Sequence, residues 1–470
     1  MPPVQRKGLP PIQLCLRGLL ILLLSAGVAV LVRAANYTDP QVLACTVFTM
    51  TVLATLFFWE FRLAVAFLGI AALFACDVLT LDRFVRFCEL PVVLFLVGMM
   101  VTVGVLKELG LFSWIIQLIV GSRRMTGRIF VLALMGLSAL LACAVDEVTS
   151  IVFMCALVFQ VCDTLRVPST PFLIMAVMAT NIGSAGTMIG NPVGLVISHR
   201  AGLTFEDFIV RAFPVMLACL ITAVGVLLLW FRREIRELSD RLEERRQQKL
   251  DLGPLVRVPY RRGLAIFLVT IGVIAGHHRI EVLLGLEENT LLMTAPLAIA
   301  GVLMIWRRER AKHYVEVEVD WWELLFFMML FAKAGALEHT GVSSRIAQDF
   351  ATAFHDSSEL LLPVLLGISA VGSAFVDNVV FVAAFVPVVL ELDSMPLWWA
   401  LLFGACLGGN VTMIGSAANI IAAGVLEKRH RHSINFVQWL KVGVVVGIAT
   451  CLVAWAALTL MANHMHVPNG

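Results

Sequence analysis

Thr187-Met188-Ile189-Gly190 in the first half of this chain returns unchanged as Thr412-Met413-Ile414-Gly415 in the second. Upstream of each tetrad lies an acidic motif, Val145-Asp146-Glu147-Val148 in one case and Val376-Asp377-Asn378-Val379 in the other. Both tetrads sit in short Gly-, Asn- and Thr-rich breaks, Gly183 to Asn191 and Gly408 to Ser416, inside apolar sequence. Asp146 to Asp377 is a step of 231 residues and Thr187 to Thr412 a step of 225, so the duplication is approximate. Ionisable groups are disfavoured in a membrane interior, and those found there are functional candidates by default. A doubled pair of interrupted hydrophobic segments is the sequence pointer to a secondary transporter's binding site.

Composition sets the solvent in which these motifs must be read. The 470 residues are 60% hydrophobic and 14% charged, where a soluble domain carries about 25% charged residues. Apolar runs of about 20 residues recur along the chain, each long enough to span a bilayer as a helix. The expected fold class is an all-α polytopic membrane protein, because the alternating segments of a β-barrel are missing. The formal net charge of +2 does not indicate a partner, and no basic patch interleaved with aromatics points to nucleic acid. The 10 cysteines form no CxxC pair and read as small packing residues, with Cys143 and Cys406 flanking the motifs. The first apolar run, from about Ile12 to Val32, is long enough to span, which argues against a cleavable signal.

Four regions follow: an N-terminal helix (1–40), a first copy (41–231), a charged linker (232–263) and a second copy (264–470). Plain spans are expected at 12–34, 41–59, 63–82, 90–109, 206–231, 264–281, 290–306, 322–339 and 438–462. The stretch 128–165 is too long for one span and carries two carboxylates at its middle. A re-entrant hairpin of two half-depth helices with a polar tip suits it, and suits 359–392 as well. The stretches 171–200 and 397–426 read as broken helices: Gly183, Gly186, Gly190, Gly408, Gly409 and Gly415 permit unwinding, and Pro192 can restart a helix. The total is about eleven transmembrane helices plus two hairpins, and five spans per copy make the repeats inverted. With a cytoplasmic N-terminus, most of the 35 Lys and Arg residues fall inside, as the positive-inside rule requires. The C-terminus then lies outside, in what reads as a prokaryotic inner membrane.

Some residues invite simpler readings. Ile235, Leu238 and Leu242 make a thin apolar stripe on a charged helix, expected to be a solvated connector. Trp59, Trp321, Trp322, Trp398, Trp399 and Trp439 stand near span ends and are expected to anchor at the interface. His277, His278, His430, His432, His464 and His466 are placed in loops or tails, with no metal role.

The site chemistry follows from the breaks. A discontinuous helix exposes unpaired C=O groups at the end of one half and N–H groups at the start of the next. The carbonyls suit a cation, and the N-terminal dipole ends suit an anion. Backbone at Gly183, Gly190, Gly409 and Gly415 is joined by neutral ligands: Thr149, Asn181, Thr187, Asn191, Asn378, Asn410, Thr412, Ser416 and Asn419. Asp146, Glu147 and Asp377 add charge. Hard oxygens of this kind suit Na⁺, with Asp146, Asn181, Asp377 and Asn410 as its ligands, and the carboxylates can instead carry a proton. The expected coupling ion is Na⁺ or H⁺, with no other cofactor. Against this stand close helix packing for the glycines and a structural hydrogen-bonding role for a lone Asp. Two other classes share some of these features. An intramembrane aspartyl protease needs two carboxylates sharing a proton, and its Tyr-Asp and Gly-x-Gly-Asp contexts are missing, so no enzyme is expected. An ion channel would share the polar breaks but need a continuous pore.

At these residues the chain resembles the ion transporter superfamily of arsenite permeases, NhaD-type Na⁺/H⁺ antiporters, citrate transporters and divalent-anion/Na⁺ symporters. Ser373 to Val379, Phe403 to Asn410 and Ile414 to Asn419 are most similar to the P-protein-like permeases, and Thr180 to Gly183 with Ile189 to Pro192 match less completely. The resemblance implies two inverted repeats, a homodimer and elevator-type alternating access. Divalent-anion symporters resemble one another in a Ser-Asn-Thr triplet at each tip, whereas these tips read Asp146-Glu147-Val148 and Asp377-Asn378-Val379. An ionised carboxylate repels a substrate carboxylate strongly at low dielectric. The expectation is therefore Na⁺/H⁺ exchange or an arsenite-type substrate, with a Na⁺-coupled di- or tricarboxylate such as citrate or succinate as the alternative.

Overall fold

The computed structural model describes residues 11–58, 61–120, 125–248, 259–286, 290–354, 358–430 and 434–461. Trp59, His432, His464 and His466 lie outside them. The described residues fold into helices and connecting turns, with no strand. In lipid a backbone polar group finds no water, so an apolar run closes its own hydrogen bonds as a helix. Among the described residues, seven helices are long and apolar enough to cross a membrane, or nine if each of two bent pairs counts as one span.

The chain divides into two compact units. The first comprises Met1–Leu90, Trp321–Ala353 and Ala383–Leu392; the second comprises Pro91–Asp320, Phe354–Val382 and Asp393–Gly470. In the first, helix Trp321–His339 packs on helices Asp39–Phe57 and Arg62–Ala75. Lys333 is buried in that packing, and its Nζ donates to Thr51 Oγ1 at 2.6 Å. Thr51 Oγ1 in turn donates to Val47 O at 2.9 Å. Gly69 makes the room, since a Cβ there would lie 2.8 Å from Lys333 Nζ. Thr51→Val removes the hydroxyl while Lys333 stays buried. The expected result is a loss of roughly 1–3 kcal/mol, read as a lower unfolding temperature in detergent. Adding Lys333→Met should recover it, because a hydrophobe of similar size needs no partner; an unchanged Thr51→Val protein would contradict this.

In the second unit, 128–165 resolves into Gly127–Ala144 and Glu147–Leu165, joined at Val145-Asp146. The counterpart is Leu361–Phe375 and Asn378–Leu392, the last of which runs on into the first unit. The arms are 18, 19, 15 and 15 residues, about 22–29 Å of helix, longer than half-depth needs. The broken stretches are Thr170–Ser184 with Pro192–Ala201, and Met395–Gly408 with Ala417–His430. Asn191 caps the restart by accepting Gly194 N–H at 2.7 Å, with Pro192 in the first turn.

Several expectations are corrected. The expected span 63–82 is a 14-residue helix, Arg62–Ala75, followed by a turn through Asp77 (φ 57°) and a short helix Leu81–Phe87. The expected span 264–281 bends by 61° at Gly276, whereas 290–306 is the helix Thr290–Trp306 as expected and is followed after a 105° bend by Arg308–Glu318. His277 is buried at the start of helix His277–Leu284, not in a loop. Two short helices, Leu111–Val120 and Val342–Ala353, were not expected. Each follows a glycine at positive φ, Gly110 (76°) and Gly341 (79°), where a side chain would be strained. The linker helix Arg232–Gln247 is docked, not solvated: Ile235, Leu238 and Leu242 are buried. Its Ser239 Oγ accepts Gly127 N–H at 3.0 Å, and Arg246 bonds Met125 O at 3.1 Å. The linker thereby braces the start of the first hairpin.

Candidate functional site

Each hairpin tip is a carboxylate that caps the helix it precedes. Asp146 Oδ1 accepts Thr149 N–H at 2.6 Å, and Asp377 Oδ1 accepts Val379 N–H at 3.0 Å. Asn378 Oδ1 accepts the same Val379 N–H at 2.9 Å. Asp377, Asn378 and Glu147 are buried.

The repeated tetrad holds the tips. Thr187 Oγ1 donates to Cys143 O, and Thr412 Oγ1 donates to Ala374 O, each carbonyl three residues before its Asp. Glu147 N–H adds a bond to Gly190 O at 3.0 Å. Gly183 and Gly408 bring the broken helices against the hairpins. A Cβ on Gly183 would lie 2.4 Å from Ala139 Cα, and one on Gly408 2.2 Å from Ala370 O. Close packing, read as the lesser role from sequence, is therefore what these two glycines do.

The breaks then bond to each other. Asn181 Nδ2 donates to Asn410 Oδ1 at 2.9 Å and to Asn419 Oδ1 at 2.8 Å, while its Oδ1 accepts Ser416 Oγ–H at 3.0 Å. Asn419 Nδ2 donates to Gly409 O at 2.7 Å and Thr412 O at 2.8 Å. Two carbonyls can only accept, so this end of Asn419 must be its NH₂, and the orientation of Asn181 follows. Asn191 Nδ2 donates to Ser184 Oγ at 2.8 Å and Cys406 Sγ at 3.1 Å. Asn181 with Ser416, and Cys406 with Asn191, are thus two copies of one contact, at the 225-residue step.

The structure brings Asn181, Asn410, Ser416 and Asn419 into one buried cluster and places Thr187 and Thr412 beneath their own tips. No hydrogen bond joins Asp146 to Asp377 among the described residues. No group of three or more His, Cys, Asp or Glu that could hold a metal ion occurs among them either.

Sequence reasoning missed the closing helix Phe436–Leu460 as part of the site. Trp439 is fully buried, and its Nε1 donates to Asn410 O at 3.1 Å, so it is no interface anchor. Trp398 and Trp399 are buried too, the latter edge-on to Phe208 at 5.1 Å, whereas Trp321 and Trp322 are exposed. A Cβ on Gly443 would lie 2.4 Å from Val411 O, and one on Gly447 2.6 Å from Val411 Cγ2. Gly443 and Gly447 form a small-xxx-small pair, and that spacing was the available signal of a close helix approach.

Comparison with known proteins accords with this geometry. The profile of the family described as CitMHS, citrate transporter, matches residues 52–404. An uncharacterised transporter of Mycobacterium tuberculosis is 34% identical over 370 residues, covering 76% of this chain and 82% of that protein. The human P protein is 27% identical over 487 residues, covering 84% of this chain and 57% of its own length. The crystal structure of the Alcanivorax borkumensis YdaH transporter superposes with a TM-score of 0.53 at 16% identity, covering 84% of this chain and 89% of that one. It supports the fold alone. With its doubled breaks, its apolar helices and this profile over most of its length, the chain belongs to the CitMHS citrate transporter family and is an integral-membrane transporter.

Proposed function

We propose that the protein is a Na⁺- or H⁺-coupled secondary transporter that moves a small ion by elevator-type alternating access. Its ion-binding elements are the tips at Asp146 and Asp377 and the two breaks. The observation that carries this reading is the paired anchoring of acidic tips, each held by the tetrad threonine of its own copy. That arrangement keeps two carboxylates at fixed positions within apolar helices, where a cation or a proton would compensate their charge. The site residues include Asp146, Glu147 and Asp377 but no Lys or Arg. A bare polycarboxylate would meet like charge there, so Na⁺/H⁺ exchange or an arsenite-type substrate is favoured. A second reading, citrate or a related anion entering with cations, draws its support from the family description. The protein is proposed to be a homodimer in a prokaryotic inner membrane, N-terminus inside and C-terminus outside.

The test is flux into proteoliposomes under imposed Na⁺ or H⁺ gradients, with arsenite, citrate, succinate, sulfate and chloride as cargo. Saturable, gradient-driven flux is expected. Flux indifferent to both gradients would refute coupling, and Na⁺-driven citrate uptake would select the second reading.

A further inference from the structure

Behind the second tip, a groove runs between the first arm of that hairpin, Leu361–Phe375, and the closing helix Phe436–Leu460. Both elements belong to the same compact unit. The groove encloses about 370 Å³ and is lined by no charged side chain. Small residues make its floor: Gly367, Ala370 and Ala374 on the arm, with Gly447 on the closing helix. A Cβ on Gly367 would meet nothing within 4 Å. Val371 and Phe375 on one rim are exposed, as are Ile448, Leu452 and Trp455 on the other, so the groove opens toward hydrocarbon. From Val444 to Trp455 it follows about 16 Å of helix, close to the ~15 Å of hydrocarbon in one leaflet. Its two ends differ in charge. Lys441, Val444, Ile448, Leu452 and Trp455 succeed one another at steps of three and four, so Lys441 continues the same helix face one turn past the groove. Lys441 is exposed, and no carboxylate pairs with it among the described residues. At the other end stands Glu359, exposed and four residues before Pro363.

We propose that this groove binds one acyl chain of an anionic phospholipid, whose phosphate is met by Lys441. An ammonium within a membrane helix is costly unless an anion meets it, and its aliphatic stem can lie along the apolar face while the charge reaches the interface. Basic pockets between membrane helices hold anionic headgroups in this way. Charge complementarity orients the lipid, with its phosphate at Lys441 and its chain end toward Trp455, away from any negative charge but Glu359, which only the apolar end of the chain approaches. With the C-terminus outside, as proposed above, the lipid belongs to the cytoplasmic leaflet. Its chain lies against Ala374, whose carbonyl accepts the Thr412 hydroxyl, and against Val411 of the break. The lipid site is therefore separate from the ion-binding elements but touches the anchor of the second tip, and it does not depend on which ion the protein carries.

The test is tryptophan fluorescence of the full-length protein in phosphatidylcholine vesicles. These carry either phosphatidylcholine or phosphatidylglycerol brominated on the acyl chain, at equal mole fraction. Bromine quenches an indole close to it, and the signal of Trp455 is the difference between wild type and Trp455→Phe. In the wild type, Trp455 is expected to select phosphatidylglycerol over phosphatidylcholine by about fivefold. Lys441→Gln should quench equally with both lipids, whereas Lys441→Arg, which keeps the charge, should retain the preference. Gly367→Phe fills the groove from its floor and should also lose the preference, leaving Trp455 in contact with ordinary boundary lipid. Equal quenching by the two lipids in the wild type would overturn the proposal. So would a preference that survives Lys441→Gln or Gly367→Phe. Quenching of Trp455 by neither lipid would overturn it too, and would mean that a second copy of the chain covers the groove. Where Gly367→Phe unfolds, the two Lys441 variants, altered only at an exposed position, decide the question.

Discussion

Asp146→Asn and Asp377→Asn will each abolish gradient-driven uptake in proteoliposomes while leaving the protein folded. Asn has the size of Asp and retains an Oδ1 acceptor, so the caps on Thr149 N–H and Val379 N–H survive. Asn and Asp are nearly equal as helix caps. What is lost is the charge that a bound cation or proton needs. Removing one partner of a buried charge pair costs roughly 3–5 kcal/mol, and 1.4 kcal/mol is about a factor of ten in affinity. Uptake should therefore fall by at least about a hundredfold, with an unfolding midpoint close to that of the wild type. Uptake at wild-type rates by both variants would end the mechanism proposed for the tips.

The second large effect concerns folding. Gly183→Ala and Gly408→Ala each place a methyl group against backbone, 2.4 Å from Ala139 Cα and 2.2 Å from Ala370 O. Backbone cannot rotate aside as a flexible side chain can, so the broken helix must back away from the hairpin. Overpacking of a tight core typically costs about 1–3 kcal/mol and sometimes more. Here the retreat also stretches the Thr187 and Thr412 bonds to Cys143 O and Ala374 O. Each variant should be at least about 3 kcal/mol less stable, measurable as a lower unfolding temperature and a loss of monodisperse protein in detergent. Gly136, with nothing within 4 Å of its would-be Cβ, is the control and should tolerate Ala. Equal stability for all three would contradict the packing described.

What the chain's order of residues reveals follows the range of the forces involved. The breaks, the tips and the tetrads were readable because charge and glycine inside apolar sequence are local signals. The helices Leu111–Val120 and Val342–Ala353 were missed because 10 and 12 residues fall well below the about 20 residues of a span. Trp439 was misread for another reason. Counting along the chain puts it near a span end, yet the close approach allowed by Gly443 and Gly447 carries it to Asn410 O, 29 residues earlier. Likewise Ile235, Leu238 and Leu242 look too sparse to anchor a helix until Ser239 and Arg246 are seen to dock it. Hydrophobic periodicity reports that a face is apolar, and only tertiary structure says what covers it.

Asn181 carries a consequence for biogenesis. Its side chain belongs to the first copy, and Asn410, Asn419 and Ser416, which satisfy it, belong to the second. A nascent first half released into lipid would hold this amide where no water can reach it. The amide at the centre of the early half is bonded only once the late half has arrived, so the two halves complete one another's hydrogen bonding.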